Sequence, residues 1–281
     1  MQNILVSMGT VASTVTVCQV LRQIAREFLK PRCVIERGGG LSQTPLQLAI
    51  EFISTLQLCI CTHELRLLGE SGLLPGLGPS LVLVYLVTLV HLSTFGSASC
   101  NPVNTLERFL CGQYSGKLAL SKVLLQVLAA LAARRVTETI WTLHMSDLHW
   151  HHCQNHFKCT SAMKTSTLSN GMFVEFSCAF SLRAVIVRFH HLSANRRMFL
   201  VAGLITFLVF AAGGLTGAVF NPALAFSITF HCDGYTYLEY SFAYWLGPLL
   251  GALTAVMLFD KRMVCCANAA VQTPRSSMKR D

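Results

Sequence analysis

Charge is what this chain has least of: Asp, Glu, Lys and Arg make up only 12% of its 281 residues. That is about half the share a soluble globular domain carries, so a water-facing surface cannot be built and a soluble enzyme is excluded. The low hydropathy of a disordered chain is missing too, because 53% of residues are hydrophobic and the mean hydropathy is +0.52. The same values exclude a small disulfide-stapled secreted module. Spare length is also lacking. A spanning helix needs roughly 20 apolar residues, so six or seven spans with short loops consume the chain and leave no nucleotide-binding or soluble catalytic domain. Acid is scarcer than base, 13 against 22, for a formal charge of +9. Nucleic acid is one reading of that excess, but basic residues of a membrane protein mark its cytosolic loops, and no nucleic-acid partner is expected.

What is present is a series of apolar stretches at 1–21, 47–68, 80–96, 118–141, 170–190, 198–213 and 239–259, each read as helical. Gly and Pro make 69–79 a turn, and 142–169 is a polar loop rich in His, Ser and Thr. Two shorter pieces, 102–111 and 222–231, begin Asn101-Pro102 and Asn221-Pro222. Proline suits the first turn of a helix and asparagine caps it, so each reads as a half-helix entering the membrane part-way.

These pieces repeat. Glu51-Phe52 matches Glu175-Phe176, and Asn101-Pro102 matches Asn221-Pro222, at offsets of 124 and 120 residues. Each half is two helices, a half-helix and one more helix, with repeat one at 47–141, repeat two at 170–260 and the loop 142–169 between them. Three crossings per half invert the second repeat, so the half-helix N-termini face each other near the midplane. With residue 46 cytosolic, 16 cations fall on the cytosolic side, Arg22 and Lys122 among them, against five opposite, with Arg183 left inside the membrane. The basic linker up to residue 46 and the basic tail 261–281 then lie in the cytosol. Stretch 1–21, outside the repeat, reads as an extra span, a signal-like segment or a surface helix. An uncleaved extra helix is preferred, since no small-residue cleavage site precedes Arg22.

The paired Asn-Pro motifs, the glutamate in the first helix of each half, and Trp245-Leu246-Gly247-Pro248-Leu249-Leu250-Gly251-Ala252 resemble the aquaporin superfamily over roughly 47–260. Asn101-Pro102-Val103 in place of Asn-Pro-Ala, and Leu224 after Asn221-Pro222-Ala223, are departures from that pattern. With Leu58–Leu65, Ser146–His149 and Leu215–Phe220, these look like the superaquaporin branch, which includes aquaporins eleven and twelve. The resemblance implies an all-α membrane protein, a right-handed bundle of six transmembrane helices and two re-entrant half-helices. It implies a homotetramer in an intracellular membrane, chiefly the endoplasmic reticulum.

The chemistry expected is passive conduction of water and small neutral solutes, glycerol or hydrogen peroxide, with no cofactor and no catalytic residue. Asn101 and Asn221 amides would donate to a water oxygen at the midplane, while two helix N-termini oppose cations and protons. Val103 and Ala223 would set the local bore. Glu51 and Glu175 are intramembrane acids, and the resemblance assigns them to bracing the re-entrant loops; the other reading places either at a helix end. Where orthodox members carry arginine, Leu224 is apolar; Val209 and Ala218 occupy matching wall positions, and the fourth wall residue is Leu81 or Tyr85. Gly247 and Gly251 have the small-xxx-small spacing of close helix packing. A pore-fold protein of structural role, with little flux past Val103 and Leu224, is the alternative.

Rival constellations are weaker. His144, Asp147, His149, His151, His152, Cys153, His156 and Cys159 crowd the central loop, but their irregular spacing favours a polar loop over a metal site. In an oxidising lumen Cys153 and Cys159 could pair. His63-Glu64 lacks a second histidine at metalloprotease spacing and reads as a helix-end polar pair.

Overall fold

A computed structural model describes residues 2–29 and 45–260. The tail 261–281 and most of the basic linker lie outside the described residues. The chain runs α1 (Gln2–Phe28), α2 (Pro45–Glu70), α3 (Leu77–Thr94), α4 (Pro102–Leu110), α5 (Gly116–Trp141), α6 (Asp147–Gln154), α7 (Leu168–Arg188), α8 (Ala194–Thr216), α9 (Pro222–Ile228), α10 (Tyr237–Ser241) and α11 (Gly247–Phe259). A π-helical turn, Phe242–Leu246, joins α10 to α11 without a break. Among the described residues seven helices are long and apolar enough to cross a membrane: α1, α2, α3, α5, α7, α8 and the continuous Tyr237–Phe259.

The repeat is visible in the packing. The most extensive helix pairs are α2 with α5 and α7 with α11, equivalent partners in the two halves, and α3 packs on α8 across them. Small residues permit this: Ala129, Ala130 and Ala133 of α5 are fully buried. A Cβ added to Gly247 would stand 2.7 Å from the Met172 carbonyl oxygen, and one on Gly251 would collide with that of Phe176. The two glycines let α11 lie directly against the α7 backbone. Leucine- and valine-rich faces of α3 and α5 and a phenylalanine-rich face of α8 point outward, as a lipid-facing surface requires.

Four expectations change. First, α1 does not stop near residue 21 but continues to Phe28 and packs along α2. The Arg22 side chain is fully buried within the protein and bonded to Gln19, Ser54 and Gln57. Second, Lys122 is likewise internal, 2.6 Å from Glu51, so neither cation's side chain is presented on an exposed surface. Third, the polar loop contains a helix, α6, capped by Ser146, whose side chain accepts from the His149 N–H. Fourth, Cys159 pairs with Cys232 rather than with Cys153, which is a free thiol. Backbone bonds reinforce the strap, with the Ser161 N–H donating to Asp233 and the Asp233 N–H to Cys159, both at 2.9 Å. The central loop is thereby fastened to the chain just beyond α9.

Candidate functional site

The site grows out of two helix starts. The Asn101 side chain accepts from the Val103 N–H at 2.9 Å, and that of Asn221 from Ala223 and Leu224 at 3.1 and 3.4 Å. Pro102 and Pro222 occupy first-turn positions where no N–H is missed. With each carbonyl oxygen used in capping, each side-chain NH2 is turned outward, toward the opposite loop. Asn101 donates to the Phe220 carbonyl at 3.1 Å, and Asn221 to the Cys100 carbonyl at 2.8 Å. The half-helices are thus tied tip to tip by a reciprocal pair of bonds. An amide NH2 has two hydrogens, so each asparagine keeps one donor beyond this clasp.

The loops leading into the tips are strained. Cys100, Ala218 and Phe220 have φ of 52°, 49° and 34°, in the left-handed region that side chains with a Cβ avoid. The Ala218 N–H donates to the Thr216 hydroxyl, and the two buried glutamates supply the acceptors for the rest of these loops. Glu51 accepts from the N–H groups of Ser99 and Cys100, at 3.1 and 2.7 Å, and from the Ser99 hydroxyl. Glu175 accepts from the N–H groups of Val219 and Phe220, at 3.1 and 2.5 Å, and from the Thr216 hydroxyl. Both carboxylates are fully buried, which rules out the helix-end reading.

The halves differ in how the acid is itself held. Glu51 bonds Lys122 and Gln126, one turn apart on α5, at 2.6 and 2.7 Å. Around Glu175 the added support is Tyr244, whose hydroxyl donates to the Thr216 carbonyl at 2.7 Å. Tyr244 lies within the π-helical turn, whose extra residue rotates the helix surface locally. Glu107 of α4 is buried and receives Arg183 of α7 at 2.5 Å, the partner that Arg183 lacked in sequence. Lys122 and Gln126 form an i, i+4 polar pair inside an apolar run, a detectable signal; the Tyr244 and Arg183 contacts are tertiary and have none.

The four wall positions are dispersed. Val209 and Ala218 share one apolar cluster between α7 and α8 with Cys178, Leu208 and Phe220. Leu224 packs between two others, beside Tyr244 on one side and Cys59 on the other. Leu81 and Tyr85 lie half-buried on α3, outside those clusters. Val103 and Ala223 are buried behind the asparagines.

Above α9 a cavity of about 50 Å³ opens between the ends of α2 and α5, lined by His63, Arg66, Arg134, His152 and Ser227 among others. Arg66 donates to the Ile228 carbonyl at the C-terminus of α9 and to the Thr160 carbonyl, placing a cation at the negative end of that half-helix. Glu64 is not at an exposed helix end: it is buried, accepting from Trp141 Nε1 at 2.8 Å and lying 3.3 Å from His149 Nε2. The His152 ring lies tilted against Trp141, centroids 4.9 Å apart, and burial there, more than the neighbouring Arg66, lowers its imidazole below the ordinary range. Among the described residues no three His, Cys, Asp or Glu converge as a ligand set.

Residues 76–259 match the family described as major intrinsic protein. The chain is 34% identical to Aquaporin-11 of Equus caballus over 260 residues, covering 92% of this chain and 90% of that one. It is 34% identical to Aquaporin-12 of Mus musculus over 289 residues, covering 99% and 96%. Among solved structures, the aquaglyceroporin from Plasmodium falciparum superposes with a TM-score of 0.57 at 16% identity, covering 80% of this chain and 98% of that one.

Proposed function

The chain belongs to the major intrinsic protein family, whose members are channels in lipid bilayers, and from that premise we propose that it conducts water and small neutral solutes passively across an intracellular membrane. Glycerol and hydrogen peroxide are the further solutes, and the endoplasmic reticulum is the membrane. The observation that carries this reading is the reciprocal clasp of Asn101 and Asn221. It fixes both amides at the junction of two half-helix N-termini and leaves each with one hydrogen for a passing oxygen. Two helix N-termini at one point also make that junction electropositive, which favours neutral solutes over cations.

Under this reading Leu224, Val209 and Ala218, with Leu81 or Tyr85, form the selective constriction, and Val103 and Ala223 set the bore at the clasp. Four apolar or aromatic walls tolerate a solute bearing methylene groups, and the likeness to an aquaglyceroporin makes glycerol the first solute to test. The proposed unit is a homotetramer, with the basic linker and the tail in the cytosol. A structural role in the organelle membrane is the second reading, favoured by the burial of Val103 and the dense packing of Leu224.

Stopped-flow light scattering on proteoliposomes separates the two. The channel reading expects water, glycerol or peroxide flux above empty vesicles, falling about tenfold or more in Asn221→Asp, where a carboxylate cannot donate to the Cys100 carbonyl. Flux equal to empty vesicles for all three solutes would leave only the structural reading.

A further inference from the structure

Arg22 is an arginine of the candidate span Gln2–Phe28, fully buried and, among the described residues, held by neutral groups. Its Nη2 donates to Gln57 Oε1 at 2.7 Å and to Gln19 Oε1 at 3.0 Å, and its Nη1 to Ser54 Oγ at 3.4 Å. Because Oε1 of Gln57 faces the guanidinium, its NH2 faces away, meeting His91 Nδ1 at 3.1 Å and Thr94 Oγ1 at 3.2 Å. His91 therefore accepts at Nδ1 and is the neutral tautomer; its buried Nε2 has no partner among the described residues. Three helices, α1, α2 and α3, are committed to holding one cation, and among the described residues no carboxylate lies at ion-pair distance from it.

The cluster is set against the first motif loop. His91 stacks on Phe95, ring centroids 4.9 Å apart, at the point where the chain leaves α3 and turns toward Asn101. On α2, Ser54, which accepts from Arg22, lies one turn from Glu51, which accepts from the N–H of Cys100, whose carbonyl receives the Asn221 amide. Nearby, Glu51 is offset by Lys122 and Glu107 of α4 by Arg183, which leaves Arg22 as the cation with no carboxylate at ion-pair distance among the described residues. The second half has no such cation at its motif: Leu224 follows Ala223, and Glu175 is held by hydroxyl and backbone donors.

A buried ionised group is costly unless it does something, and in a low-dielectric layer its field reaches far. We infer that Arg22, carried by the extra N-terminal helix, is a specificity-determining residue: it supplies the fixed positive charge that holds cations and protons out of the conduction path at the first motif. The inference rests on the channel reading above. It makes α1 part of the selectivity machinery although it lies outside the repeat.

The test uses the full chain in liposomes and reads two quantities on the same vesicles. Water flux comes from stopped-flow light scattering. Proton and sodium leaks come from trapped indicator dyes under a potassium diffusion potential. Gln57→Glu keeps an acceptor at the same place for Arg22 and sets a negative charge beside it, losing the amide donor to His91 and Thr94; it is made together with His91→Phe, so that no imidazole can take up a proton and restore the charge. Arg22→Gln removes the charge outright and Arg22→Lys retains it. A unit charge about 10 Å from an ion path, at an effective dielectric of about 20, alters ion passage by roughly tenfold. Gln57→Glu with His91→Phe, and Arg22→Gln, should therefore leak protons or sodium about tenfold faster at unchanged water flux, with Arg22→Lys near the parent chain. A Gln57→Glu, His91→Phe protein with parental water flux and parental leak overturns the inference. So does loss of water flux in both neutralised variants at unchanged helix content, which would make the cluster a packing clamp. Absence of solute flux in the parent chain instead overturns the channel reading, and is seen before any variant is made.

Discussion

At the scale of single residues, the buried ion pair of Glu51 and Lys122 carries the sharpest expectation. With its exposure at 0% and that of Lys122 at 6% for the side chains, neither group has water to fall back on. Removing one partner of a buried pair typically costs about 3–5 kcal/mol because the other is left charged and dry. Lys122→Met should therefore lower the thermal unfolding midpoint in detergent sharply, and Glu51→Gln on top of it should recover part of the loss, since the amide oxygen still accepts from the Cys100 N–H. A double variant no more stable than the single one would mean that Lys122 matters through packing on Tyr114, over whose ring its ammonium lies at 5.4 Å, rather than through charge. The acids were legible in sequence as intramembrane glutamates at matching places in a repeat. Which groups they hold was less so, because Ser99, Cys100 and Phe220 meet them only after a loop has folded back into the bundle.

At the scale of elements, the seven long helices, the two capped half-helices and the repeat that relates them follow from hydropathy and from Asn-Pro. These signals are local and strong. What escaped is tertiary: α1 runs to Phe28 because Gln57 and Ser54 satisfy Arg22, and no window of hydropathy sees across helices. The π-helical turn is equally silent in sequence, as is the docking of α6, which depends on Trp141, Glu64 and His149 meeting from three segments. Glycine spacing on α11, by contrast, was readable and has a direct consequence. Gly251→Val forces side-chain atoms onto the α7 backbone at Phe176, and overpacking of this kind costs about 1–3 kcal/mol or more. Since α7 carries Glu175, loss should appear both in unfolding midpoint and in solute flux. Gly203→Ala on α8, where nothing lies within 4 Å of an added Cβ, is the matched control and should be neutral or slightly stabilising.

At the scale of the whole molecule, the Cys159–Cys232 bridge spans 73 residues and ties the connection between the repeats to the chain emerging from α9. A cross-link of this kind typically adds about 2–4 kcal/mol. Cys159→Ser with Cys232→Ser should lower the unfolding midpoint accordingly, and reductant should do the same to the parent chain while leaving the double variant unmoved. Peptide mapping without reductant should recover a fragment joining Cys159 to Cys232, with Cys153 alkylatable; recovery of a Cys153–Cys159 peptide would show the pairing to be wrong.

The same bridge acts as a clock for biosynthesis. Cys159 emerges from the ribosome long before Cys232, and its partner becomes available only after α7, α8 and α9 have been made and the second half-helix has turned back out of the membrane. Until then Cys159 lacks the partner that fastens its loop. A nascent chain that has oxidised this pair has therefore made its second half-helix, α9, and the shift in its mobility on a non-reducing gel marks that stage, ahead of the last helix Tyr237–Phe259.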